Sequence, residues 1–356
     1  MARMPERTLI RSDLIILIGS AAAVALAGVT HYYGAGSVFP FVCAAIAVAL
    51  LASLVGRCVE QLGDRLGSGA TGVLQSALGN LPELFIGFFA LQAGLVAVVQ
   101  ASIIGSILAN LLLVLGAAFL VGGLKHGPQR FDSDGIRRTV VLLLLATSAM
   151  VLPAIAHGLH APVADHEVPL SIVISIVLLA IFALSLPASL RRNGSGPGAR
   201  PEPPRWPLWL AIVMLAIAGV GAAVVSDWFV TALTPAMDTL GISQAFAGLV
   251  IVAIAGNAIE NVVGIQLARR NQMDYAVSII INSPLQIALV MAPMLVLLSL
   301  LTGTTLTLVF APLLVAAVLL TVLTVAIAML DGESNWLEGA VMMALYAIIA
   351  TLFWWG

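Results

Sequence analysis

Apolar stretches long enough to cross a lipid bilayer follow one another along most of this chain, and some, such as 95–122, contain no charged residue. A hydrocarbon core about 30 Å thick takes roughly 20 residues of helix to span and offers backbone groups no water, so such stretches fold as membrane helices. With 61% of its residues hydrophobic and 9% charged, the chain is not a soluble domain. We read an all-α polytopic membrane protein with eleven transmembrane helices, near 14–31, 38–57, 68–92, 95–122, 137–157, 168–188, 207–231, 243–268, 273–300, 305–330 and 335–355. The lipid bilayer is its expected partner. The net charge of −2 says little about others, and no nucleic-acid partner is expected.

Charge placement gives the orientation. All fifteen Lys and Arg residues fall in the N-terminal tail or in every second connection: Arg57 and Arg65, then Lys125 to Arg138, then Arg191 to Arg205, then Arg269 and Arg270. The positive-inside rule therefore puts the N-terminus in the cytoplasm and, after eleven crossings, the C-terminus outside. Compact loops and a short N-terminus suggest a prokaryotic inner (plasma) membrane. Arg3, Arg7 and Arg11 precede the first span and no small-residue cleavage pattern follows it, so it is expected to be retained. Among the loops without Lys or Arg, the longest holds His157, His160, Asp165, His166 and Glu167 and reads as a solvated loop. Cys43 and Cys58 form no CxxC pattern and read as packing residues. The longest polar stretch, 191–206, reads as a basic cytoplasmic linker.

One segment is written twice. At an offset of 177 residues, 79–116 and 256–293 agree at nine of 38 positions, and five of these are Gly, Asn, Glu, Gly and Ser. Each copy opens with Gly-Asn-x-x-Glu: Gly79, Asn80 and Glu83, then Gly256, Asn257 and Glu260. Five spans separate equivalent points, so the copies run in opposite directions. Inverted repeats with interrupted helices are the architecture of many secondary transporters. The expected organisation is a tail and extra helix at 1–37, a five-helix repeat at 38–190, the linker, and a second five-helix repeat at 207–356.

The two glutamates are where chemistry is expected, because insertion scales put a carboxylate in a membrane helix at about 2.5 to 3.5 kcal/mol. Asn80 and Glu83, like Asn257 and Glu260, stand three apart and share a helix face. Gly79 and Gly256 weaken the helix, and Pro82 cannot bond the carbonyl of Leu78, which frees backbone oxygens. The next helix of each copy carries a polar stripe, Ser102, Ser106 and Asn110 in one, Ser278, Asn282 and Gln286 in the other, with Ser283 beside it. Ser102 and Ser278 read as packing residues; Ser106, Ser283 and Gln286 read as site residues. This inventory is oxygen alone, without His or Cys near either motif, and points to a hard cation such as calcium. When the metal leaves, two facing carboxylates repel and protons take its place. Such competition couples the two ions, and exchange follows by alternating access. Calcium enters here as transported substrate, and no cofactor is expected.

These residues resemble the calcium/proton exchanger (CAX) branch of the cation/calcium antiporter superfamily. The likeness rests on Gly79-Asn80-Leu81-Pro82-Glu83-Leu84, on Gln100-Ala101-Ser102, on the run from Gly105 to Gly116, on Ser226-Asp227, on Gly256 to Glu260, on Ser283 with Gln286, and on Gly332-Glu333-Ser334-Asn335-Trp336. The resemblance implies ten core helices in two inverted sets of five after one extra helix, with the first and sixth core helices sliding to open one side at a time. It also implies calcium ligation by Glu83, Glu260 and nearby carbonyls, with Gln100, Ser106, Ser283 and Gln286 in support. The chain departs from the family at Asn261, usually His, at Asn282, usually Gly, and at Arg57, usually acidic, although Glu60 and Asp64 lie close.

Other readings stay open at this level: a sodium-coupled antiporter, another divalent substrate such as manganese, or a passive cation channel. Neither HExxH nor a Ser/His arrangement is present, so an enzyme is not expected. The sequence sets no oligomeric state, and a homo-oligomer is compatible with it. Asp227 and Glu338, near span ends, read as caps or solvated residues.

Overall fold

Long apolar runs fold here as long helices, which continue through Pro153, Pro235 and Pro284, and the breaks between helices fall mainly at glycine and asparagine. The computed structural model describes residues 10–34, 36–66, 78–192 and 205–355, without the side chains of 64–66, 133–135, 186–192 and 258–261. Arg3, Arg7, the start of the third expected span, most of the linker, and the side chains of Asp64, Arg65, Glu260 and Asn261 thus lie outside the described residues.

The helices are α1 (Arg11–Tyr33), α2 (Val38–Leu66), α3 (Leu81–Gln92), α4 (Val96–His126), α5 (Ser133–Gly158), α6 (Glu167–Arg192) and α7 (Leu208–Leu240). They continue with α8 (Gln244–Gly256), α9 (Ala258–Arg269), α10 (Met273–Ser299), α11 (Pro312–Ala328) and α12 (Trp336–Trp354). Among the described residues, eight helices are long and apolar enough to cross a membrane, while Leu81–Gln92, Gln244–Gly256 and Pro312–Ala328 are shorter apolar helices. The tenth span begins later than expected. Residues 301–311 are irregular, with Leu306, Leu308 and Phe310 buried in alternation as in an extended chain. Pro312 then opens α11 at a position where its missing N–H is harmless.

The chain divides into two compact units. One comprises Met1–Phe89 and Ala180–Leu240. In it Leu54, Val55, Cys58, Val59 and Leu62 of α2 pack with Trp206, Ala211 and Ala218, and Phe41 stacks on Phe229 at 5.0 Å between centroids. The extra helix α1 is fastened to this pair. Ser20 Oγ donates to Leu50 O at 3.1 Å, and the Trp228 ring fills the gap left by Gly28 and stacks on His31. Asp13, only 1% exposed, faces Arg57 Nε at 3.4 Å and accepts from Trp206 Nε1 at 3.2 Å. Gln61 Oε1 beside it accepts the backbone N–H of Arg205 and of Trp206. Arg57, unusual in place of an acid, is therefore the counter-charge of a buried carboxylate.

The other unit comprises Ala90–Leu179 and Gly241–Gly356 and is built around α4. Glycine lets backbones touch there: a Cβ on Gly105 would lie 2.2 Å from Leu249 O, and one on Gly248 would lie 2.3 Å from Val98 O. Gly116 and Gly339 make the same close approach between α4 and α12. Wide π turns occupy Ala109–Val114 in α4, Ala247–Val252 in α8 and Ile287–Met291 in α10. A short antiparallel pair, β1 (Gln129–Arg130) with β2 (Glu333–Ser334), joins the loops after α4 and before α12. Glu338 closes a capping box with Asn335 at the start of α12, a cap as expected.

Candidate cation site

Glu83 stands in the first turn of α3, just after the break at Gly79 and Asn80, and is 7% exposed. Pro82 is buried beside it. Asn80 O restarts the helix by accepting from Leu84 N at 3.0 Å, and Asn80 Nδ2 is buried without a hydrogen-bond partner among the described residues. Gly79 and Asn80 are half-buried.

The second motif is organised by Asn257. Between α8 and α9 this single residue leaves the helical path, at φ −93° and ψ 13°, and its side chain caps nothing. It turns instead toward α4 and α10. Its Nδ2 donates to Ser106 Oγ at 3.0 Å and to Ala253 O at 2.9 Å. Its Oδ1 accepts from Asn110 Nδ2 at 3.0 Å and from Ser283 Oγ at 3.3 Å. Asn110 Nδ2 also reaches Ser106 O at 2.9 Å. Ser106, Asn110, Asn257 and Ser283 are each no more than 3% exposed. An amide has two donors and two lone pairs, so Asn257 is engaged at all four by protein partners. In this arrangement it holds three helices together as a neutral polar frame. Gly256 is half-buried just before it.

The remaining expected residues lie elsewhere. Gln100 Nε2 donates to Thr307 O at 3.0 Å and to Val309 O at 2.9 Å. Both amide hydrogens strap the irregular segment before α11, which leaves the Gln100 carbonyl as the group still able to accept a proton's hydrogen bond or face a cation. Asn282 is exposed, and its amide returns to Ser278 O at 2.7 Å on its own helix. Gln286 is half-buried where α10 enters its wide turn. Ser102 bonds Val99 O within α4 and lies against Gly248, a packing position as expected. Glu260 and Asn261 fall in the helical backbone of α9, and their side chains are outside the described residues.

A model of the sodium/calcium exchanger protein family matches residues 36–190 and 210–355, both sets of helices that carry these motifs. The chain belongs to the sodium/calcium exchanger family. This exchanger-family chain is an integral membrane protein, and its relatives are transporters. It is 36% identical over 347 residues to the Ca(2+)/H(+) antiporter ChaA of Bacillus subtilis, covering 95% of this chain and 97% of that protein. It is 34% identical over 344 residues to the Ca(2+)/H(+) antiporter of a Synechocystis strain, covering 91% and 92%. The solved structure of native YfkE matches with a TM-score of 0.82 at 35% identity, covering 96% of this chain and 99% of that one.

Two features of the exchanger-family site escaped the sequence reading. The glycine contacts that seat α8 on α4 were signalled only by Gly105 and Gly248, small residues of the kind that let membrane helices approach. The segment 301–311 is held by side chains distant in sequence: Ser171 Oγ accepts from Leu308 N at 2.9 Å, and Thr304 Oγ1 donates to Leu91 O.

Proposed function

We propose that the chain is a secondary antiporter that exchanges calcium for protons by alternating access, with Glu83 and Glu260 binding the ion or protons in competition. The observation that carries this reading is likeness over more than nine-tenths of the chain to proteins named Ca(2+)/H(+) antiporter, together with both Gly-Asn-x-x-Glu motifs intact. Two carboxylates balance one divalent charge, and carbonyl oxygens freed at the breaks complete the six to eight ligands that calcium takes. The buried position of Glu83 suits a group that must be either metal-bound or protonated in a low dielectric. Asn257 with Ser106, Asn110 and Ser283 fixes the break from which α9 starts, and Gln100 and Gln286 assist the protonated state. Calcium is cargo in this scheme, and the chain acts as a transporter without an enzymatic step.

Eleven crossings in one extra helix and two inverted sets of five remain the proposed topology, with repeats at 38–190 and 207–356 around the linker 191–206. Support comes from the π turns. At the repeat offset of 177, Ala109–Val114 corresponds to 286–291, and a wide turn occupies Ile287–Met291. The break at 79–80 likewise corresponds to 256–257. The charge pattern supports a cytoplasmic N-terminus, and the compact loops suit a prokaryotic inner membrane.

The test is calcium uptake into sealed vesicles under an imposed pH gradient, repeated with a sodium gradient. Proton-driven uptake that Glu83→Gln and Glu260→Gln each abolish, with both variants inserted and folded, is the expected result. Uptake that requires sodium changes the counter-ion, and full transport in both variants removes the glutamates from the site.

A further inference from the structure

We propose that Gln129 is a positioning residue of the exchange site, a latch that fixes the far end of the helix carrying Glu260. The proposal rests on the exchange reading above. Helix α9 is tied down at two ends. At its start, Asn257 is bonded to Ser106, Asn110 and Ser283. At its other end, Gln129 Nε2 donates to Ala268 O at 3.3 Å and to Asn271 Oδ1 at 2.7 Å. Asn271 takes the left-handed φ of 61° that ends the helix. In between, Gly264 admits Ile280 so closely that a Cβ would lie 2.6 Å from its side chain.

The latch is dry and has a purpose-shaped seat. Gln129 is 3% exposed, and its backbone is held in β1, where Ser334 Oγ donates to its carbonyl at 3.3 Å. Its Oε1 rests over Gly122, where a Cβ would come within 1.9 Å. Lys125 and His126 also reach Arg269 O, at 3.1 and 2.9 Å, but both are exposed, where water competes with such bonds. A 12-residue helix is a strut about 18 Å long. Fixed at one end it tilts; fixed at both it sets the height and rotation of the turn that bears Glu260.

The experiment compares Gln129→Met, which keeps length and volume but not the hydrogen bonds, with Gly122→Ala, which evicts the side chain from its seat, and with the double variant. Amide hydrogen exchange is read along 258–272, and the calcium dependence of proton-driven uptake is read in vesicles. Loss of the two bonds is expected to speed exchange about three- to tenfold along the whole of α9, back to the turn after Asn257. The half-saturating calcium concentration should rise by a similar factor with the maximal rate retained. The double variant should be no worse than either single one, because both remove the same contact. Asn271→Gly, which keeps the left-handed backbone and removes only the shorter bond, should give the same pattern more mildly if Gln129→Met does not fold. Faster exchange confined to the last turn, an unchanged calcium dependence, or additive effects would each reduce Gln129 to a local cap and overturn the proposal. Absence of calcium uptake in the unmodified protein would refute the exchange reading instead, and the exchange pattern along α9 would still decide whether Gln129 latches the helix.

Discussion

Asn257 shows how spacing and surroundings divide the work of identifying a site. Its distance of three residues from Glu260 makes it a ligand on paper, yet its four hydrogen-bonding positions are met by Ser106, Asn110, Ala253 and Ser283. Partners 147 and 151 residues away leave no trace in the local pattern. Asn257→Leu keeps the branched outline and leaves buried amide and hydroxyl groups unpaired, at about 1–3 kcal/mol per unsatisfied group. We expect a melting temperature in detergent lower by several degrees and transport reduced at least tenfold; an unchanged protein would mean the frame is dispensable. Asn282 teaches the converse. The stripe Ser278, Asn282 and Gln286 does share one helix face, but the face of α10 turned inward is that of Ala276, Ile280 and Ser283. In α4 the stripe Ser102, Ser106 and Asn110 is buried entire.

At the scale of elements, helix positions were legible because an apolar run of sufficient length admits few alternatives in a bilayer. The wide turns were not, since Ala-Asn-Leu-Leu-Leu-Val is as compatible with an ordinary α-turn as with the π turn it forms. The start of the tenth span was misplaced for a related reason: Leu306, Leu308 and Phe310 are apolar and buried, but as an extended segment strapped by Gln100, Ser171 and Ser299. The crossing of α4 and α8 is the least tolerant contact described. Gly105→Ala would drive a methyl into the Leu249 backbone, and overpacking of this kind costs about 1–3 kcal/mol or more. Folded yield by size exclusion of membrane extracts should fall sharply. Gly158→Ala, where nothing lies within 4 Å, should leave yield unchanged or improved, since alanine is the better helix residue. Equal yields would show that α8 can shift to make room.

For the whole molecule, sequence and contacts cut the chain differently. The repeat divides it at the linker, whereas each compact unit takes residues from both sides of that linker. Descent is written in order along the chain; packing follows which helices end up adjacent. The buried cluster of Asp13, Arg57 and Trp206 gives this difference a consequence in time. During synthesis Asp13 emerges first, Arg57 arrives with the next helix, and Trp206 follows 193 residues behind Asp13. From the arrival of Arg57 until that of Trp206, the carboxylate's one charged partner is the arginine. Arg57→Leu should therefore lower the amount of inserted protein several-fold, while Trp206→Phe, which removes the late hydrogen bond together with part of a fully buried ring, should leave insertion intact and lower the melting temperature of the finished protein by several degrees. The first helix is thus anchored by charge while the chain is still being made, and by the indole only once the second half has arrived.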